Sequence, residues 1–347
     1  MSCCPQEVKV ETSCHGTSTK KRDWLLIGSS LIIGLSYFQH FFLPGIQLHF
    51  SHSIVELMNT MAPGILLGLV FVGLLSFIPR EVVISAVGSP TSIKGIFKAT
   101  AAGLLLDLCS HGILMVGMKL YERGASLAQV MAFLIASPWN SISLTFILFT
   151  LVGAKLTISF IVLSGIIAII TGLIVRVLLL KKLIPNNINQ TELPSDYQVW
   201  PNLKASFKGK FFTVLFYKEL AVNGFRDGQM VLRWIFFGAV LTSAVRLVAS
   251  PEILQEYVGP TMGGMGITLF VATVLEVCSE GSTPLAADLV TRAKAPGNAF
   301  AFLMTGVSTD YTEIMSLKDT TKSWLCTLIL PALTIPQIVL ISYLLNQ

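Results

Sequence analysis

Two four-residue segments carry the densest potential chemistry in the chain. Cys109-Ser110-His111-Gly112 and Cys278-Ser279-Glu280-Gly281 share a cysteine, a serine and a glycine at one spacing, and an acid stands two residues before each cysteine, Asp107 and Glu276. A thiolate is a soft ligand that suits Cu(I), Zn(II) and other thiophilic species, imidazole is borderline, and carboxylates accept Zn(II) or protons. If the two cysteines meet, they supply two thiolates, with His111 and Glu280 as third and fourth ligands. A lone cysteine in an apolar helix is ordinarily a small residue that lets helices pack closely. Duplication beside ionisable residues favours the ligand reading here.

Whatever positions these residues lies in a membrane. Of the 347 residues, 53% are hydrophobic and 12% charged, against about 25% charged in soluble proteins. The apolar residues form long runs, such as Trp24–Phe38, Ile65–Ile78, Ala132–Val152 and Leu156–Leu180. About 20 apolar residues cross a bilayer as a helix, so these runs predict an all-α polytopic membrane protein with about 8–10 membrane segments, the count following from that same length. Candidate spans are 24–43, 60–83, 94–118, 126–152, 156–181, 228–249, 261–288, 296–315 and 323–345. Residues 1–22 read as a polar cytoplasmic tail with Lys20, Lys21 and Arg22 before the first span, and no signal peptide is visible. The expected divisions are a first helix and loop over 23–53, a first repeat with a connecting helix over 54–182, a polar linker over 183–227 and a second repeat over 228–347.

The repeat follows from an offset of 169 residues. At that offset Leu106–Gly112 lies over Leu275–Gly281, Arg123 over Arg292, and Ala132-Phe133-Leu134 over Ala301-Phe302-Leu303. With a small gap, Val87-Gly88 answers Val258-Gly259. Internal repeats are typical of secondary transporters, whose sites lie where interrupted helices of the two halves meet. If each cysteine segment crosses fully, the repeats are parallel and the basic linker, with Lys204, Lys208 and Lys210, lies outside. If each is a re-entrant hairpin, the repeats are inverted and the linker lies inside, which suits the positive-inside rule better. That second topology places Lys155, Arg292 and Lys294 outside.

Ionisable groups inside a membrane are costly and mark pathways. Asp107, Glu276 and Asp288 fall in this class. Downstream, Ser137-Pro138-Trp139-Asn140-Ser141 interrupts one apolar segment and Gly306–Glu313 its counterpart. A proline frees a backbone carbonyl, which makes Asn140, Asp310 and Glu313 pathway or coupling candidates, the alternative for the two acids being a water interface near Lys318. In the tail, Cys3-Cys4 and Cys14-His15 could capture one soft metal ion, though the spacing is not that of a zinc finger. His40, His49 and His52 read as interfacial.

The segment Gly103–Gly153, with its Cys-Ser-x-Gly, Arg-Gly-Ala-Ser and Ala-Phe-Leu-Ile-Ala-Ser-Pro, resembles the ArsP-like permeases, as does the second half through Cys278–Ala286 and Ala301-Phe302-Leu303. The resemblance covers about residues 60–345. It implies a permease, in a family that includes exporters of trivalent organoarsenicals and a branch linked to copper and zinc efflux. The cysteine-rich tail is similar to the latter branch. His111 stands where the family commonly carries a second cysteine, which shifts the expectation from an arsenical toward Zn(II) or Cu(I).

The sequence thus predicts a secondary transporter in the inner (plasma) membrane, with its N-terminus in the cytoplasm, that exports a thiophilic metal or metalloid. The metal is the substrate, and no cofactor is expected. The expected partners are the lipid bilayer and the substrate, with no nucleic acid; a homo-oligomer stays open. No Walker A sequence is present. A membrane-embedded cysteine- or metal-dependent enzyme is disfavoured, because residues two apart on a helix do not face each other. A permease or channel for a non-metal solute is the main alternative.

Overall fold

The computed structural model describes residues 23–43, 49–78, 82, 88, 92–106, 108, 110–137, 145, 148–150, 152–190, 213–246, 259–274, 279–291 and 293–347. Among them the elements are helices: α1 (Trp24–Phe42), α2 (His49–Phe77), α3 (Ile93–Leu105), α4 (Ser110–Glu122), α5 (Leu127–Ile135), α6 (Ala154–Leu180), α7 (Val214–Arg246), α8 (Met262–Val274), α9 (Ser279–Thr291), α10 (Pro296–Thr309), α11 (Tyr311–Thr321) and α12 (Trp324–Leu345). Four of these, α1, α2, α6 and α12, are long and apolar enough to cross a bilayer. Their outward faces carry exposed Trp24, Leu31, Phe38, Leu66, Val162 and Leu328. Apolar surface on that scale marks contact with lipid rather than water, and the chain is a polytopic membrane protein.

Local chemistry sets the helix starts. The Asp23 carboxylate accepts the Leu26 N–H at 3.2 Å. Ser126 and Gln129 form a reciprocal capping box at α5, satisfying two of the amides a helix start leaves open. Ser323 caps α12 by accepting the Cys326 N–H at 3.4 Å.

The region expected as one span over 94–118 is two 13-residue helices, α3 and α4, separated by residues 106–109. Each is about 20 Å long, too short to cross alone. Arg123, just past α4, donates to the Ser76 carbonyl at 2.8 Å and the Ile78 carbonyl at 2.6 Å, at the end of α2. Gly68 of α2 lies so close to α4 that a Cβ there would sit 2.8 Å from the Gly112 Cα. α4 therefore runs alongside α2 in the same direction, and both end at one face. At that face the Gln129 side-chain amide, at the start of α5, donates to the Gly88 carbonyl, just before α3, at 3.0 Å. The feet of α3 and α4 are thus brought together, and the two helices form a hairpin.

The second half repeats this construction. Shifted by 169, α3 and α4 become residues 262–274 and 279–291, the bounds of α8 and α9, and α5 starts at 296, where α10 starts. Asn298, the counterpart of Gln129, donates its amide to the Gly259 carbonyl at 2.9 Å. The interface between α5 and α6 has its counterpart between α10 and α12. In the first, Gly172 of α6 lets Ala128 and Ala132 of α5 approach; in the second, Gly297 of α10, the counterpart of Ala128, leaves no room for a Cβ against Ser342 of α12. The glycine has changed helices while the contact remains.

The equivalent helices α2 and α7 pack along each other in opposite directions. Phe77 stacks near Phe216 at 5.1 Å between ring centroids, and a Cβ on Gly73 would lie 2.5 Å from the Leu220 carbonyl oxygen. Helix α7 begins at Val214, inside the stretch 183–227 expected as a linker. Lys218, Glu219, Asn223, Arg226 and Asp227 make its first turns too polar to be recognised as helix from hydropathy.

Candidate functional site

Ser110 and Ser279, the serines of the duplicated motif, begin α4 and α9. Ser110, His111 and Gly112 form the first turn of α4, and all residues of α4 from Ser110 to Lys119 are buried. His111 is 1% exposed. Asp107, Cys109, Glu276, Cys278 and Asn140 lie outside the described residues, as do Cys3, Cys4, Cys14 and His15. For Glu280 the backbone lies in α9 and the side chain is not described. Among the described residues no group of three or more His, Cys, Asp or Glu could hold a metal ion.

Polar residues from the second half gather around the break between α10 and α11. The Thr273 hydroxyl, one residue before the end of α8, bonds the Thr309 hydroxyl at 2.9 Å. The second hairpin therefore approaches its tip beside the end of α10. There follow Asp310, Thr312 and Glu313, all buried, so the water-interface alternative does not describe these acids. Helix α11 in turn packs against α4, the helix that begins with Ser110 and His111. Three buried hydroxyls in these segments, on Ser110, Thr305 and Ser316, have no hydrogen-bond partner among the described residues. Buried polar groups are nearly always paired in native proteins, so these three hydroxyls are open to a polar partner. Asp288 is half-buried on α9. His40, in the last turn of α1, and His52, in the first turn of α2, stack at 5.8 Å between ring centroids, both exposed.

Hydropathy and motif spacing both missed two internal charge clusters. Lys119 of α4 pairs with Asp227 of α7 at 2.5 Å and Glu122 at 3.1 Å; the Lys119 and Asp227 side chains are 10% and 17% exposed. Arg233 of α7 pairs with Asp23 at 3.1 Å and with Asp319 of α11. The Trp234 indole N–H also donates to Asp319 at 3.0 Å. The signal that could have found the first cluster is the offset itself, which lays Lys119 over Asp288, an intramembrane charge of opposite sign.

Known proteins resemble this chain over most of its length. The chain is 22% identical over 290 residues to a protein of Streptococcus mutans named as a subunit of a two-component membrane permease complex, covering 83% of this chain and 92% of that one. It is 21% identical over 270 residues to the UPF0718 protein YcgR of Bacillus subtilis, covering 78% and 88%. No solved structure matches. The ArsP_1 family model, described as a predicted permease, matches residues 46–347, and the chain belongs to that permease family.

Proposed function

We propose that this chain is a secondary transporter that exports a thiophilic metal or metalloid through a midplane site between its two Cys-Ser-x-Gly breaks. The observation that carries this reading is the pair of hairpins whose feet are closed by equivalent amide-to-glycine bonds, Gln129 to Gly88 and Asn298 to Gly259. With α2 and α7 antiparallel, the halves are inverted repeats, the hairpins enter from opposite faces and their tips point toward the same depth. That is the arrangement by which inverted-repeat transporters build a site from discontinuous helices. The sequence places Cys109, His111, Cys278 and Glu280 at the tips as ligands, with Asp107, Glu276, Asp288, Asn140, Asp310 and Glu313 along the pathway.

Orientation follows from charge. In this topology Lys181 and Lys182 lie at the face where α2 ends, and the sequence leading into α1 and α7, which both start at that face, carries Lys20, Lys21, Arg22, Lys204, Lys208 and Lys210, whereas Lys155 and Lys294 fall at the other face. The basic face is cytoplasmic by the positive-inside rule, which places the N-terminus there. The Streptococcus mutans relative is named as a complex subunit, so a second membrane subunit is a candidate partner of this chain too.

A second reading, a permease for a non-metal solute, is favoured by the unpartnered hydroxyls of Ser110, Thr305 and Ser316, which suit an oxygen-rich substrate. The two separate in one experiment. A deletion strain is challenged with Cu, Zn, Cd, arsenite and methylarsenite, then complemented with wild type, Cys109→Ser or Cys278→Ser at matched expression. Sensitivity to one of these species, rescued by wild type and by neither variant, is expected. Full resistance conferred by both serine variants would remove the thiolate site, and no sensitivity to any of the five would turn the assignment to the non-metal solute.

A further inference from the structure

A cavity of about 220 Å³ opens where α6 ends beside the start of α5, lined by Ser126, Arg176, Leu179, Lys182, Asn186 and Gln190 among others. It has two characters. Leu179 and Leu180 give it an apolar wall, while Arg176 and Lys182 supply two positive charges and Ser126, Asn186 and Gln190 supply hydrogen-bonding groups. No carboxylate is among its described lining residues.

Its position in the membrane is fixed by contacts. Asn187, in the loop that forms one wall, is buried, and its amide donates to the Tyr121 carbonyl at 2.6 Å and the Ala125 carbonyl at 2.8 Å. Tyr121 and Ala125 flank Arg123, which clasps the end of α2. The cavity therefore lies at the face where α2 and α6 both end. Around it the surface is apolar and exposed: Val177, Leu180, Leu183 and, at 94%, Ile188. Such residues are stable when immersed in acyl chains, which sets the two cations at the boundary between hydrocarbon and water.

We propose that this cavity seats the phosphate of an anionic phospholipid, with Arg176 and Lys182 on the phosphate, Asn186 and Gln190 on the headgroup, and the acyl chains along Val177, Leu180 and Leu183. Arginine holds phosphate oxygens in a planar fork and lysine as a point charge. Basic pockets between membrane helices at the cytoplasmic face are suited to lipid headgroups. A soluble phosphate has the same anionic chemistry but no use for the surrounding apolar rim, and that rim selects the lipid. The inference stands apart from the substrate assignment, since none of these residues is at the hairpin tips.

The test uses the full-length chain in nanodiscs of phosphatidylcholine doped with phosphatidylglycerol, with retained lipid counted by native mass spectrometry. Arg176→Gln and Lys182→Gln are each expected to lower retained phosphatidylglycerol about fivefold, the size of one near-surface cation, and together by more than tenfold. Lys155→Gln, the same change of charge near the start of α6, should leave retention unchanged. Lys182→Arg should keep retention, which gives a readout if a glutamine variant does not fold. Millimolar inorganic phosphate should not displace the lipid. Undiminished retention in the folded double variant would overturn the site, and displacement by inorganic phosphate would make it a soluble-anion site instead.

Discussion

The two halves share a scaffold and differ in chemistry. Hairpin arms of equal length recur, α3 with α8 and α4 with α9, and each hairpin foot is tied by one side-chain amide to one glycine carbonyl. At the breaks downstream the likeness ends. The first half has Ala136, Pro138, Asn140, Ser141 and Leu144 where the second has Thr305, Val307, Thr309, Asp310 and Glu313. The second half breaks between α10 and α11 among buried acids and hydroxyls, where the first-half sequence carries a proline.

The largest difference is electrostatic. Lys119 joins the first hairpin to α7 of the other half through Asp227. At the equivalent place in the second half, Asp288 stands on α9 and Met58 on α2, so no matching ion pair can form. Removing Lys119 leaves Asp227 only the exposed Arg226 at 3.5 Å, and breaking a buried pair costs up to about 3–5 kcal/mol. Lys119→Met is therefore expected to lower the thermal transition of the detergent-purified protein sharply, whereas Lys119→Met with Asp227→Met should recover most of it. Asp288→Asn, at a half-buried site, should cost less than Lys119→Met. A double variant no better than the single one would mean that the pair does not join the halves.

Next in size are the glycine contacts that moved between helices. At Gly297 the atom in the way is a backbone carbonyl, that of Ser342, which cannot swing aside. At Gly172 it is the Cγ2 of Ile96, 2.7 Å from the Cβ position, a branch methyl that moves only if the side chain turns about its first torsion. Overpacking costs about 1–3 kcal/mol, and Gly297→Ala should reach or pass the upper end of that range and Gly172→Ala the lower. Equal losses in thermal stability would contradict the reading that only one of the two contacts is backbone-limited.

The foot clasps come third. Gln129→Ala loses a hydrogen bond to Gly88 together with its half of the α5 capping box; Asn298→Ala loses the bond to Gly259 and the one from Asn346. Each change should cost about 1–3 kcal/mol, mostly for the carbonyl left unsatisfied. Gln129→Asn and Asn298→Gln test how far the two clasps are interchangeable. Transport that survives Asn298→Gln but not Asn298→Ala would tie activity to the amide rather than to packing.

Some of this was written in the sequence and some was not. The Cys-Ser-x-Gly pair and its 169-residue offset needed only residue identities, and the offset proves to carry the helix bounds and the clasp residues as well. Crossing and re-entrant paths were distinguishable only by charge, because 13 apolar residues, a break and 13 more have the hydropathy of one long span. The start of α7 was hidden by its charges, one of which, Asp227, is neutralised from a distant part of the chain. Such a partner has no local signature. The buried state of Asp310 and Glu313 was likewise unreadable, since an acid beside a helix break looks the same at a water interface.

The smallest expected effect on stability comes from the hydroxyls of Ser110, Thr305 and Ser316, and it carries the most information on function. Each hydroxyl is buried without a partner among the described residues. A buried polar group left unpaired costs about 1–3 kcal/mol, so removing it should leave stability unchanged or slightly raised. Ser110→Ala, Thr305→Val and Ser316→Ala are therefore expected to unfold at or just above the wild-type temperature. If these oxygens exist to hold a substrate, the same variants should transport more slowly, with the loss in substrate affinity. The two measurements together separate the halves. Thr305 and Ser316 have apolar counterparts in the first half, Ala136 and Ile147, while Ser110 has a serine counterpart in Ser279. A site shared equally by the two hairpin tips predicts a loss at Ser110 and Ser279 alone. A site drawn toward the acid-rich break predicts losses at Thr305 and Ser316 as well, and intact transport in all these variants would leave the hydroxyls without a part in binding.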